Sequence, residues 1–405
     1  MRLTQFLRLN APWLAAGGLL TFMSSFGQTF FISIFAGEIR AEFGLSHGEW
    51  GGLYSLGTMT SAVMMIWAGA LTDRFRVRGL GALILLALAA SSLAMAAAPG
   101  AWALAFVIFA LRFTGQGMTS HIAVVAMARW FVATRGRALA IATLGFSVGE
   151  ALLPISFVAM LSYVDWRFLW VVAAVVAMSG IPILLLLLRN ERTPQSMAQE
   201  NPSTGMHGEH WTRRQTLHHP LFWFLVPALL GPSAFGTAFF FHQVYFAEIK
   251  PWEHVQFVAL FPFYTLFGIG SMLLSGWALD RFGTARLMPF FQLPMVVAFV
   301  IFAFTTNLLG ALLGFFFMAL TTGANSTLPN AFWAEFYGTR NIGSIKAMAA
   351  AVMVLGSAIG PGITGLLIDQ GIGLETQYLA VAVYFIFATF MLAIGIGRYK
   401  SLLPG

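Results

Sequence analysis

The chain has 405 residues, of which 59% are hydrophobic and 9% charged, with 40 Phe and no Cys. A soluble protein carries roughly a quarter charged residues, so soluble enzymes, nucleic-acid binders and secreted scaffolds are set aside. The missing thiols remove disulfides, thiolate metal sites and Cys-ligated iron–sulfur clusters.

Apolar runs of about 20 residues are long enough to cross a bilayer core. Twelve are read along the chain, over 11–36, 48–71, 79–98, 101–131, 137–161, 166–188, 221–247, 255–279, 284–305, 307–333, 342–369 and 377–397. Each is expected to be a helix. Only helices and closed barrels satisfy their backbone in lipid, and these runs lack the alternation of a barrel strand. The basic start at Arg2 and Arg8 is like that of a signal peptide. The apolar stretch after it is too long and lacks a cleavage site, so it reads as the first span.

Lys and Arg set the orientation. With the N-terminus inside, 18 of the 22 basic residues fall on the cytoplasmic side, Arg40, Arg167 and Lys250 fall outside, and Arg112 is left within the membrane. Both termini are therefore expected to be cytoplasmic, and the net charge of +7 needs no nucleic acid. The long polar stretch 189–220 reads as a solvated cytoplasmic linker between a six-helix bundle over 1–188 and a second over 221–405. His207, His210, His218 and His219 lie in it without metal-ligand spacing.

The two halves echo each other. Gly69-Ala-Leu-Thr-Asp73-Arg74-Phe75 after span 2 matches Gly276-Trp-Ala-Leu-Asp280-Arg281-Phe282 after span 8, and the same offset pairs Thr114 with Thr321, Gly136 with Gly343, Gly149 with Gly356 and Pro154 with Pro361. Duplicated six-helix halves with substrate held between them are a transporter architecture. The two loop motifs, Gly69-x3-Asp73-Arg74 and Gly276-x3-Asp280-Arg281-x-Gly283-x2-Arg286, resemble the loop motif of the major facilitator superfamily. Arg112-Phe-Thr-Gly115-Gln-Gly117 resembles its span 4 arginine–glycine motif. Within it, Trp130-Phe-x3-Arg135-Gly136-Arg137 resembles the monocarboxylate-transporter-like branch. Two departures stand out. Arg76 occupies a usual Gly position, and span 5 has Gly145-x3-Gly149-Glu150 where drug antiporters carry Gly-x3-Gly-Pro. The resemblance implies that Asp73 and Asp280 pair with nearby Arg and helix ends to latch an inner gate. It also implies that spans 1, 4, 7 and 10 line a central cavity.

An ionisable group inside a span costs roughly 2.5–3.5 kcal/mol on insertion scales, which singles out Arg112 on span 4 and Glu150 on span 5. Both fall near mid-membrane. They read as a permanent ion pair, as a switchable pair with Glu150 exchanging a proton and Arg112 meeting an anion, or as residues that never meet. Helical spacing places Gly115, Gln116 and Thr119 on the face of Arg112, and puts His121 on the far side as a helix-packing residue. Gln28, Gln116 and Asn325 are candidate neutral substrate contacts, Tyr264 an aromatic wall, and His242 a proton relay or an interfacial His.

These features together read as an all-α, twelve-helix secondary transporter. The expected cargo is a small organic anion, a monocarboxylate, moved with a proton by alternating access. No Gly-x4-Gly-Lys-[Ser/Thr] phosphate loop occurs. The alternative is a proton-coupled efflux antiporter for amphipathic compounds. The expected partners are the anion, protons and the lipid bilayer, with no nucleic acid, cofactor or metal. The expected setting is a monomer in the inner membrane, and no enzyme.

Overall fold

The computed structural model describes residues 3–131, 134–191 and 204–403, with the side chains of Leu3, Asp73 and Arg135 outside the described set. Arg2 and Arg192 of the orientation count, and Pro194 and Pro202 of the linker, lie outside it too. All regular structure among the described residues is helical. Nine of these helices are long and apolar enough to cross a membrane, and ten if the bent pair Thr4–Gly27 and Thr29–Phe43 counts as one span. They fall where spans 1, 3 to 8 and 10 to 12 are expected. At the position of span 2 stands His47–Ala68, of 22 residues, whose Gly, Ser and Thr content and Glu49 dilute its apolar character. At span 9 the continuous apolar helix is Leu293–Phe304, of 12 residues. It is shorter than the run suggests because Thr284–Leu287 forms a separate turn and Pro294 opens the next helix.

Side chains close the helix ends where the sequence supplies them. Ser46 and Glu49 form a capping box at the start of His47–Ala68, the Asp165 carboxylate accepts from Arg167 N at 2.8 Å, and Asn307 Oδ1 accepts from Gly310 N at 2.8 Å. Each cap satisfies backbone donors that the first helical turn leaves free. Span 1 is interrupted. Helix Leu3–Met23 passes into the tight turn Ser24–Gly27, Gln28 adopts extended backbone at φ −86° and ψ 155°, and the chain restarts at Thr29. The axis bends by 47° across this break.

The chain divides into two compact units. Unit 1 comprises Met1–Gln199 with Phe240–Val244, and unit 2 comprises Glu200–Phe239 with Tyr245–Gly405. In unit 1 the helix of span 1 runs along that of span 5, span 2 along span 4, and span 3 along span 6. Glycines permit the first of these pairings: a Cβ on Gly145 would lie 1.9 Å from Gly18 O, and one on Gly149 2.0 Å from Ser25 Oγ. Unit 2 repeats the scheme, with span 8 on span 10 and span 9 on span 12. There, a Cβ on Gly360 would lie 2.2 Å from Ala234 O and one on Gly356 2.9 Å from Leu230 O, which sets span 11 against span 7. Small residues let helix backbones approach closely in lipid. Phe31 anchors the core of unit 1, its ring 4.8 Å from Phe157 and 5.3 Å from Trp170. Phe239 does the same in unit 2, 4.4 Å from Phe302 and 5.7 Å from Phe315.

The expectation of a solvated linker over 189–220 needs correction in its second part. Met206 and Thr216 are fully buried. Trp211 N donates to Tyr337 O at 3.1 Å, Asn341 Nδ2 donates to Trp211 O at 3.0 Å, and the His219 ring lies 4.5 Å from Tyr399. A Thr212–Gln215 capping box starts the short helix Arg213–His218. The segment packs because Met206, Trp211 and Leu217 add to an apolar cluster with Phe336, Tyr337 and Ile345. Its polar composition hides those apolar anchors. Lys250, read as an external loop residue, is also buried. Its ammonium lies 2.7 Å from Glu375 Oε1 and 3.4 Å from Ala303 O.

Candidate functional site

The candidate site lies in unit 1, where two irregular helices meet. Span 4 is α-helical over Ala101–Leu111, π-helical over Arg112–Thr119 and α-helical again over Ser120–Trp130. The π stretch lies against the break in span 1. A Cβ on Gly115 would fall 2.6 Å from Gly27 Cα, and one on Gly27 would fall 2.2 Å from Leu111 O. The two backbones touch because both positions are glycine.

Arg112 opens the π stretch and is 1% exposed. Its Nη1 donates to Gly27 O at 3.2 Å and to Thr29 Oγ1 at 3.3 Å. Its Cζ lies 5.3 Å from the Tyr54 ring centroid, and the Tyr54 and Thr29 hydroxyls share a hydrogen bond. Gly27 ends the first half of the broken span, where unpaired carbonyls carry partial negative charge, so the guanidinium caps that end. Arg112 Nε has no hydrogen-bond partner among the described residues. Among the described residues Arg112 contacts a carbonyl, a hydroxyl and an aromatic face, and Glu150 is not one of these contacts. Glu150 is half-buried on Gly136–Leu161, directly after Gly149 on Ser25. The cause is the direction of the Arg112 side chain, which runs to the span 1 break and to span 2.

The shared face inferred for span 4 also needs correction. Gln116 is exposed whereas Arg112, Gly115 and Thr119 are buried. The i, i+4 phasing of an α-helix does not hold through a π stretch, whose bonds run i to i+5. Gln28 sits half-buried at the break itself. His121 is half-buried against Gly69, its Nε2 3.4 Å from where a Cβ on that glycine would stand. His242 is 3% exposed in the Phe240–Val244 segment of unit 1, its ring 6.2 Å from His47. Thr29 and Tyr54 escape sequence reasoning. The pairing of Gly27 with Gly115 is the signal that could have led to them, because it brings spans 1 and 4 into contact beside Arg112.

In unit 2, Tyr264 is 5% exposed and donates to Thr322 Oγ1 at 3.1 Å, so it braces span 8 on span 10. Asn325 is half-buried at the end of Leu308–Asn325, just before span 10 restarts at Leu328. A cleft of about 360 Å³ in this unit is lined by Phe235, Phe299, Thr364, Gln377, Val381 and Tyr384, among others.

The loop motifs separate in detail. Gly69 follows His47–Ala68, and the Arg129 guanidinium donates to Thr72 O at 2.6 Å. Val77 N, at the start of the next helix, donates to Glu191 Oε1 at 2.9 Å. Arg74 is exposed, and the Asp73 side chain lies outside the described residues. In the second copy, Gly276 has open space around it and Asp280 is exposed. Arg281 rests on its own turn, 5.7 Å from the Trp277 ring and 5.8 Å from the Phe282 ring.

A multi-pass helical membrane protein built from two repeated units, with a buried cation at a helix break, has the build of a membrane transporter. The Major Facilitator Superfamily model matches residues 17–361 and 263–401, and the chain belongs to that superfamily; it is a transporter rather than an enzyme. Solved structures share the fold. A bacterial homologue of the human lysosomal transporter Spinster, inward-facing and unoccupied, gives a TM-score of 0.74 at 15% identity over 98% of each chain. An inward-facing, occupied structure of such a homologue gives 0.68 at 17% identity over 96% of each. The nucleoside transporter NupG gives 0.71 at 15% identity, over 95% of this chain and 99% of its own. No curated protein matches the sequence.

Proposed function

We propose that the protein is a secondary active transporter that moves a small organic anion, a monocarboxylate, together with a proton by alternating access. The reading includes twelve spans, cytoplasmic termini, a monomer and a bacterial inner membrane. The observation that carries it is Arg112: a buried guanidinium whose described contacts include no carboxylate. A buried charge without a counter-charge is costly, and a carboxylate substrate bound through a fork of N–H groups would supply one. Glu150 is assigned the exchangeable proton, and Gln28, half-buried at the break beside Arg112, a neutral contact. At 15–17% identity, the solved neighbours support the fold and carry no substrate over.

The test uses purified protein in liposomes loaded with a pH-sensitive dye, with short carboxylates added singly and controls for free-acid diffusion. Wild type is expected to acidify the lumen. Arg112→Gln is expected to lose uptake by at least about tenfold, as losing one strong charge-assisted contact implies, and Glu150→Gln to lose acidification. Retained carboxylate uptake in Arg112→Gln counts against the anion site. The efflux reading draws on the aromatic cleft of unit 2. It predicts the reverse pattern, with lipophilic cations alkalinising a preacidified lumen and carboxylates silent.

A further inference from the structure

We propose that Tyr54 is a positioning residue that ties the Arg112 cation to the seating of the Phe240–Val244 segment, so that occupation of the cation by an anion loosens that segment. The coupling to an anion rests on the reading of Arg112 given above; the mechanical link does not.

Tyr54 is fully buried and is held on three sides. Its hydroxyl shares a hydrogen bond with Thr29, its face carries the Arg112 guanidinium at 5.3 Å, and its ring lies 4.5 Å from that of Phe241. Arg112 bonds to Thr29 as well, so cation, hydroxyl and ring form a closed triangle with Phe241 resting on one corner. Phe241 stacks in turn on Trp50, at 5.5 Å and 21°. Two residues on, Gln243 Nε2 donates to Phe30 O at 3.1 Å and to Ser33 Oγ at 2.7 Å. Ser33 Oγ lies 2.7 Å from both Thr29 O and Phe240 O and donates to one of them at a time. Gln243 is fully buried, yet its Oε1 has no hydrogen-bond partner among the described residues. A buried acceptor left without a donor is a standing cost, so this seat is only partly satisfied and a modest loss of support suffices to open it.

The support comes from Tyr54. A carboxylate fork on the Nε edge of Arg112, which has no hydrogen-bond partner among the described residues, draws the guanidinium away from Thr29 Oγ1 and off the Tyr54 face, since such a fork is stronger than one hydrogen bond to a neutral hydroxyl or a cation–π contact. Tyr54 then loses one of the three contacts that fix its ring, the cation on its face, and the floor under Phe241 weakens.

The chain has no Cys, so Ser33→Cys gives a single thiol at a fully buried position of the seat. The experiment measures its labelling by a water-soluble maleimide in the full-length detergent-solubilised protein. Ligand-free Tyr54→Leu and Arg112→Gln are each expected to speed labelling about tenfold, the loss of a desolvated cation–π contact. The double variant should label no faster than the faster single one. Tyr54→Phe, which keeps the ring, should restore slow labelling. Rates in either single variant that match the parent, or single effects that multiply, overturn the proposal. If Arg112→Gln does not fold, Arg112→Lys, which keeps the charge without the fork, replaces it; parental labelling there overturns the proposal equally. Excess lactate is then expected to speed labelling in the parent but not in Tyr54→Leu. A lactate-insensitive parent with the ligand-free pattern intact would place the failure in the substrate class and leave the mechanical link standing.

Discussion

Arg112 shows what a single residue reveals and conceals. A charge inside an apolar run is visible in any sequence, because its cost in lipid demands a purpose. Its partners are not visible. Gly27 and Thr29 come to it through the break in span 1 and Tyr54 from span 2, and the Ser and Gly of Ser24-Ser25-Phe26-Gly27-Gln28 are only a weak signal of that break. The glycines at the crossing give a sharp test. Gly115→Ala would drive its Cβ to 2.6 Å from Gly27 Cα and 2.7 Å from Gly27 N. Backbone cannot yield as a side chain can, so a loss on the order of 1–3 kcal/mol is expected, read as a lower thermal midpoint in detergent. Gly18→Ala, which meets nothing within 4 Å, should leave the midpoint unchanged.

Among the elements, the long helices are legible because their apolar runs match the bilayer in length. The irregular ones are not. A π stretch depends on how neighbours seat it rather than on the residues within it, which is why Gln116 and Arg112 part company. The segment 204–219 fails in the other direction, since its His, Arg and Gly content reads as solvent-facing although Trp211 and Met206 fix it to unit 2. That packing carries a pH dependence. Burial first, and then the His207 charge, hold the His219 imidazole below its ordinary value. Between neutral pH and about pH 6, the unfolded segment takes up a proton that the packed one resists. Its stability is therefore full at neutral pH and falls on acidification, until the packed His219 protonates as well. Hydrogen exchange at the Trp211 amide, corrected for intrinsic rate, should lose protection at pH 5.5 relative to pH 7.5. In His219→Phe that difference should vanish; a difference that persists would assign the effect to another group.

Across the whole molecule, the repeat read from Gly69-x3-Asp73-Arg74 and Gly276-x3-Asp280-Arg281 reappears as packing. Gly149 and Gly356, one offset apart, each seat a fifth helix on a first. The repeat carries the scaffold and not the chemistry. Unit 1 has the cation at a break, whereas unit 2 has a hydroxyl brace at Tyr264 and the Lys250–Glu375 pair. The Lys250 side chain is 4% exposed against 52% for Glu375, so Glu375→Gln strands a buried ammonium. A loss of roughly 1–3 kcal/mol is expected, below the full cost of breaking a wholly buried pair because one partner is wet. Limited proteolysis should show unit 2 cleaved faster while unit 1 is unchanged.

The same pair bears on how the protein is made. Its partners are 125 residues apart, and at roughly 5–20 residues per second the ribosome takes about 6–25 s to reach the second after the first. Throughout that interval Lys250 lacks the Glu375 carboxylate that it meets in the folded chain. The insertion machinery therefore receives the helix ending at Phe241 with a charged tail that has yet to meet that carboxylate.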